Sequence, residues 1–547
     1  MFSDPVVGRN FFGRQDIIDL LVKRADALKS GYRQNVAIIG HQQLGKSSIL
    51  RHFLHIYQNP DVISVYVEIK FQALDYFVDQ FVRSLLYQYL LGCGDAEQND
   101  SLARLIDKCS TRIPETVRRI HEITHLLKHR HAEEAYRRLF ELTSAVRAES
   151  GKNCIVVLDE FHRLGEFGIR NAFSDFGKRI MVQKDTMYIL SSSSFSASRK
   201  ILAEKLALLF GNFERVYLEP LQFETSFSFL ENKLAPVQVP DNLKFFLVAF
   251  TDGHPFFLDT LCKRLKETAA GGGENTLSSE SVADTFLKLM FESQGIWNQY
   301  FMKLLSPWVR PDCRGSQILI LTKLAAGLNK LKDIAGAINR GQKETSKQIQ
   351  ELMGHELIVK TGVFYRFHNK IFKFWLKEVY EKKELSVFGS GREEDFLNVI
   401  RALIAEYGEL LKLDVEKRVL SLFSAFNNEL VEFGEKGRQL PKFTEFITAQ
   451  PGQAAPDTPT RRLIARGHGR CWICQITEQR ATEKEVLELM QCEPGAKSPA
   501  ATKVLIALRG LDDNARLLAK DKKIFTLGLS RLNTLMDIYG KSPIIPS

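Results

Sequence analysis

Residues 35–54 read NVAIIGHQQLGKSSILRHFL, and this stretch constrains the fold more than any other. Asn35–Gly40 is a continuous apolar run ending in glycine, which marks a strand buried on both faces of a parallel sheet. Gly40-His41-Gln42-Gln43-Leu44-Gly45-Lys46-Ser47 then fits G-x-x-x-x-G-K-[ST], and the residues from Ser48 to Leu54 read as a helix. Strand, glycine-bearing turn and helix in this order point backbone N–H groups at an anion on the helix N-terminus. A chance match would lack the flanking elements.

A buried parallel strand needs partners. Val62–Ile69, Asn153–Asp159, Met187–Ser191 and Phe213–Leu218 are short apolar or β-branched runs separated by segments of helical periodicity. Strands alternating with helices predict an α/β fold with a doubly wound parallel sheet, interrupted by a helical insertion at about 71–149.

The turn carries a defined chemistry. Lys46 would reach the outer phosphates of a bound nucleotide, and Ser47 would ligate Mg²⁺. Ile155–Glu160 is an apolar strand ending in two acids. Asp159 is placed to orient Mg²⁺ beside Ser47, and Glu160 to polarise the attacking water. Met187–Leu190 runs into Ser191–Ser194, where a hydroxyl could sense the last phosphate.

The 547 residues are 44% hydrophobic and 26% charged, a globular composition. Lys+Arg exceed Asp+Glu by 75 to 65, and the pI is near 9.0. Such an excess is compatible with a polyanionic partner without requiring one. Eight scattered Cys do not form a disulfide framework. The first residues lack a signal-peptide pattern, and no run reaches about 18 apolar residues, so a cytoplasmic protein with no membrane partner is expected.

Further motifs follow. Phe12-Gly13-Arg14 precedes a helix, Phe213–Leu221 reads FERVYLEPL, and Asp252–Leu258 reads DGHPFFL. Together with the phosphate loop and the strand ending in Asp159-Glu160, this set resembles the STAND-type ATPases of the AAA+ class over residues 1–380. The resemblance implies ATP and Mg²⁺ as cofactors. It assigns the phosphate loop from Gly40 through Ser48 to nucleotide binding, and brings Arg14 and Pro255 to the same nucleotide. It also implies a switch with slow ATP hydrolysis. One departure stands out. Where relatives carry L-[FY]-G-R, this chain has Leu209-Phe210-Gly211-Asn212, and Arg215 is the candidate replacement. That departure puts vigorous hydrolysis in a self-assembled ring in doubt.

The reading divides the chain into an ATPase core at 1–222, a helical lid at 223–305, a winged helix at 306–380, a linker at 381–393 and a C-terminal region at 394–547. The winged helix is read from helices at 318–326, 331–338 and 344–353 and a hairpin spanning 356–368. Residues 311–380 hold 12 Lys/Arg against 6 Asp/Glu. Arg340, Lys343, Lys347, Lys360 and Arg366 could meet DNA phosphates, and a solvated basic face that packs against protein is the equal alternative. Glu394–Phe433 reads as one long helical stretch, and Gly271–Gly273 as a loop.

The C-terminal strands and helices resemble a restriction-endonuclease-like fold. Its metal site looks stripped: Gln475-x-Thr477 stands where a glutamate or glutamine and a lysine belong, and Arg461–Gly467 holds no acid. A degenerate nuclease-like domain that binds nucleic acid or protein is expected. His468, Cys471, Cys474 and Cys492 offer zinc-type ligands, but residues i and i+3 on a strand face opposite ways. Two other functions stay open, a DNA-binding loader or regulator in replication, transposition or defence, and a structural nucleotide-binding scaffold.

Overall fold

The computed structural model describes residues 4–206, 213–272, 276–309, 315–385, 392–433, 436–448, 460–467, 469–492 and 501–546. Two compact units emerge: Met1–Pro220 with His254–Phe256, and Leu221–Gly253 with Phe257–Ser547.

The first unit is built on five parallel strands, β1 (Asn35–Ile39), β2 (Val62–Glu68), β3 (Asn153–Asp159), β4 (Thr186–Ser192) and β5 (Phe213–Tyr217), in the order β2-β3-β4-β1-β5. Every residue of β1, β3 and β4 is buried. Alternate side chains enter two cores. Ile39, Val156, Leu158, Tyr188 and Leu190 face one, while Val36, Ile38, Ile155, Val157 and Ile189 face the other. This two-sided burial is why the strands read as unbroken apolar runs. Helix α1 (Gln15–Lys29) and helix α2 (Lys46–Ile56) lie on the second face through Ile18, Leu21, Leu50 and Phe53. Between β2 and β3, five helices from Leu74 to Ser150 extend the first core with Phe77, Phe81, Tyr136 and Phe140.

The second unit begins with helices, among them Phe223–Leu234, Asp241–Thr251 and, from Phe257 on, Pro255–Gly272. Gly271 and Gly272 belong to the last of these, so the loop expected at 271–273 starts later; Gly273 lies outside the described residues. Three helices follow, Ser316–Ala325, Leu331–Ala337 and Gln342–Gly354, then an antiparallel hairpin of β6 (Ile358–Thr361) and β7 (Phe364–Phe367). Helix Arg392–Lys412 and helix Val415–Phe423 come next.

The helical stretch expected to reach Phe433 ends earlier. Leu430–Phe433 is strand β8, paired with β9 (Lys436–Gln439). Left-handed Asn428 turns the chain out of the helix, and alternation at Leu430–Phe433 suits an edge hairpin. A mixed sheet closes the chain: β10 (Glu445–Thr448), β11 (Thr460–Gly467), β12 (Arg470–Thr477), β13 (Ala501–Ala507) and β14 (Phe525–Gly528). The first three run antiparallel to one another and the last three parallel. Among the described residues no helix is long and apolar enough to cross a membrane.

Candidate functional site

The carboxyl end of β3 and the start of α2 meet. Ser47 Oγ donates to Asp159 Oδ2 at 2.6 Å, and Tyr66 OH, from β2, donates to the same oxygen at 2.9 Å. Ser191 Oγ, at the end of β4, donates to Asp159 Oδ1. Asp159 is fully buried and accepts from three hydroxyls on three elements. Burial, then the neighbouring Asp159, pushes the Tyr66 phenol well above its ordinary range, so it stays a donor. Arg51 lies over the Tyr66 ring, 5.2 Å from its centroid.

Lys46 is the first residue of α2 and buried; its Nζ donates to the His41 carbonyl at 2.8 Å. The ammonium therefore folds back over the loop it would complete. Gly45 takes φ +90°, and a Cβ there would meet no atom within 4 Å, so the turn keeps an open concave side. Gln43 is also left-handed, at φ +62°. Leu44 is buried in the second core and anchors the loop, while Gln42 is exposed. The His41 ring stacks 6.2 Å from Phe195. This set of buried cation, hydroxyl, carboxylate and left-handed backbone fits a phosphate chain with Mg²⁺.

Glu160 sits one residue past the strand in the left-handed region, φ +60°. Ser193 holds it there: the Ser193 amide and Oγ donate to Glu160 Oε2 at 2.8 and 2.7 Å. His162 Nδ1 lies 3.4 Å from that oxygen and 2.8 Å from Ser192 Oγ. The serine run expected to contain a phosphate sensor thus commits Ser191 to Asp159, Ser192 to His162 and Ser193 to Glu160, while Ser194 Oγ caps the next helix by accepting from the Ala197 N–H. Tyr66 and His162 were missed by sequence reasoning. His162 stands two residues after Glu160, a short-range signal that could have flagged it.

Ser48 faces the N-terminal loop, its Oγ accepting the Val6 N–H at 3.2 Å. The same loop is held by Gly8 N–H on His52 Nδ1 at 3.2 Å and by Phe11 stacked on His52 at 4.1 Å. Burial, with His55 beside it, lowers the His52 pKa, which favours the neutral ring that accepts. Arg14 caps α1 in a left-handed conformation, and its Nη2 donates to the Glu219 carbonyl. Pro255 opens the helix Pro255–Gly272 and is half-buried. Residues 209–212 lie outside the described residues, and Arg215 is exposed on β5 in register with Ala37.

The basic residues of the second unit do not form one face. Lys343 and Lys347 are exposed on the helix Gln342–Gly354, and Lys360 is exposed on β6. Arg340 pairs with Glu344. Arg366 is half-buried. Its Nε donates to Thr361 Oγ1 at 3.1 Å, and burial lowers its pKa against the opposing pull of Asp537 and Asp252.

The hairpin is built into the C-terminal sheet region. Phe364 is 2% exposed and belongs to the core of Trp472, Phe426 and Leu535. The Val363 N–H donates to the Leu430 carbonyl at 3.1 Å. A Cβ on Gly362 would lie 1.9 Å from that same carbonyl oxygen. Around this contact Lys330 Nζ reaches Glu429 at 3.1 Å, Tyr539 OH reaches Glu429 at 2.9 Å, and Lys373 Nζ reaches Asp537 at 2.7 Å.

In the C-terminal sheet Gln475 is fully buried and its Nε2 donates to Glu488 Oε2 at 3.3 Å. Glu488, on the helix Glu483–Gln491, is a carboxylate that reading the strands alone missed. Cys471 and Cys474 enter opposite cores of the sheet, so they cannot share an ion. Burial raises the Cys474 thiol well above its usual pKa. His468 lies outside the described residues. Among those described, no three His, Cys, Asp or Glu side chains converge on one point.

Residues 10–171 match the family described as AAA ATPase domain. A domain of that family implies ATP and Mg²⁺ binding and ATP hydrolysis. No curated protein matches the chain. Among solved structures, the Walker-type ATPase of Pyrococcus abyssi is similar at 17% identity and TM-score 0.48, over 69% of this chain and 99% of that one. The Aeropyrum pernix ORC2 protein is similar at 13% identity and TM-score 0.45, over 74% and 97%. The Thermotoga maritima RuvB Holliday junction branch migration motor follows at 13% and 0.33, over 69% and 100%.

Proposed function

We propose that this chain is a STAND-type molecular switch. It binds ATP with Mg²⁺, hydrolyses it slowly, and couples nucleotide state to a winged helix at 306–380 and to the region 394–547. One observation carries the reading: Ser47 Oγ and Asp159 Oδ2 lie 2.6 Å apart, so a hydroxyl and a buried carboxylate from distant segments share one point at the mouth of the glycine turn.

Bound ATP·Mg²⁺ supplies the scissile anhydride and the cation that spreads its charge. The chain supplies the rest. The loop Gly40–Ser48 would present N–H donors, Lys46, now on the His41 carbonyl, would serve the outer phosphates, and Ser47 with Asp159 would hold the cation. Glu160 orients the water through its carboxylate. Arg14 and Pro255 belong to the nucleotide's base side. The test is nucleotide binding and turnover by the full chain. Lys46→Ala should abolish binding, and Glu160→Gln should bind and not turn over. Turnover retained in Glu160→Gln would remove that residue from its role.

A second reading, a DNA-binding AAA+ loader or regulator, is favoured by exposed Lys343 and Lys347 on the third helix of the winged-helix segment. DNA would then be met by that helix. Salt-independent or absent DNA binding in the presence of ATP would dismiss it.

A further inference from the structure

We propose that the exposed face of the helix Pro114–Lys128 binds a borderline divalent transition-metal ion such as Zn²⁺, with His125 as the shared ligand and His121 or His129 as its partner. Four of the chain's 12 histidines fall within residues 121–131. His121, His125 and His129 follow one another at four-residue steps, which stacks them on one helix face. All three are exposed, and His129 is the C-cap of the helix. The His125 and His129 rings already stand 4.2 Å apart, centroid to centroid, at 45°. Neutral imidazole is a preferred ligand of such ions.

His121-Glu122-Ile123-Thr124-His125 also fits H-E-x-x-H on a helix, the pattern in which two histidines grip zinc and the glutamate serves as base. The glutamate here is committed elsewhere. Glu122 Oε2 accepts from Arg138 Nη1 at 3.1 Å, and Oε1 accepts from Arg118. His121 and His125 are both exposed to solvent. Binding without hydrolysis is what these residues can do. Because no three ligating groups converge among the described residues, two imidazoles and water would complete the coordination.

The consequence is local. An ion bridging His125 and His129 ties the last full turn of the helix to its cap, next to left-handed Arg130, where the chain turns into the helix Ala132–Leu139. A two-imidazole clamp at that point holds the helix end against fraying.

Titrating ZnCl₂ into the nucleotide-free full chain, followed by calorimetry, tests this. The wild type should show a saturable Zn²⁺ site that His125→Ala weakens about tenfold or more. Zn²⁺ should also raise the melting temperature of the wild type more than that of His125→Ala. His121→Ala and His129→Ala, measured separately, identify the partner. His125 is exposed, so the variant should keep its circular dichroism and its ATP binding. Equal Zn²⁺ affinity in wild type and a folded His125→Ala, or no saturable binding in the wild type, would overturn the proposal.

Discussion

Ser193 grips Glu160 with two donors, its amide at 2.8 Å and its hydroxyl at 2.7 Å, both on the same carboxylate oxygen. Glu160 needs such a hold because its backbone is left-handed, a conformation that costs a non-glycine residue about 1 kcal/mol or more.

Ser193→Ala removes one donor and leaves the other. A hydrogen bond to a charged group contributes about 1.5–3 kcal/mol, so kcat should fall about tenfold while KM for ATP stays near the wild-type value. Serine-to-cysteine and serine-to-threonine variants at 193 separate loss of the hydroxyl from loss of packing. Steady-state ATPase kinetics provide the check, and an unchanged kcat in Ser193→Ala would strip the hydroxyl of that function.

Tyr66→Phe should keep the strand and lose a donor to Asp159. The phenylalanine preserves the ring under Arg51, so the loss of stability should be confined to that of one hydrogen bond to a charged group, about 1.5–3 kcal/mol. The Mg²⁺ requirement should shift instead, with a higher Mg²⁺ concentration for half-maximal activity. A Mg²⁺ titration at saturating ATP measures it.

Gly362→Ala should destabilise the second unit strongly. Its Cβ would sit 1.9 Å from a backbone oxygen that cannot step aside, at φ +69°. Phe364→Ala, which empties a packed site, should cost about 3–5 kcal/mol. Urea unfolding of the full chain compares both with the exposed control Lys360→Ala.

If DNA is bound, the double reversal Lys343→Glu with Lys347→Glu should weaken binding on all sequences alike and flatten its salt dependence, since phosphate contacts carry no sequence information. Arg366→Ala should instead lower stability and leave affinity unchanged, because the guanidinium is half-buried and its Nε is held by Thr361 Oγ1. Fluorescence anisotropy across a salt series distinguishes the two.

The full chain should not nick plasmid DNA with Mg²⁺ or Mn²⁺. Glu488 joins Gln475, but the nearby Lys503 Nζ is taken up by the Met490 carbonyl and Glu478 is drawn to Arg461 at 3.7 Å. Cleavage lost in Glu488→Ala would make the C-terminal sheet a working nuclease.

How much of this was legible in the sequence depends on the range of the interaction. β1, β3 and β4 announce themselves because burial on both faces demands unbroken apolar residues. Gly45, Lys46 and Ser47 are legible because backbone geometry fixes their order. Tyr66 meets Asp159 across 93 residues of chain and Ser193 meets Glu160 across 33, and such pairings leave no local mark. Counting charge along a segment likewise ignores which side of a hairpin each residue takes, so the half-burial of Arg366 left no local mark. The strand at Leu430–Phe433 was hidden by its helical neighbours.

The insertion of Phe364 into the core around Trp472 has a consequence for how this chain comes apart. A boundary drawn by composition near residue 380 separates two segments that share one hydrophobic interior. A fragment ending there would expose Phe364 to water and leave Gly362 facing nothing. Denaturation should therefore show the helices from Ser316 onward and the C-terminal sheet melting together in a single step, and an expression fragment should either keep both or stop before the first of those helices.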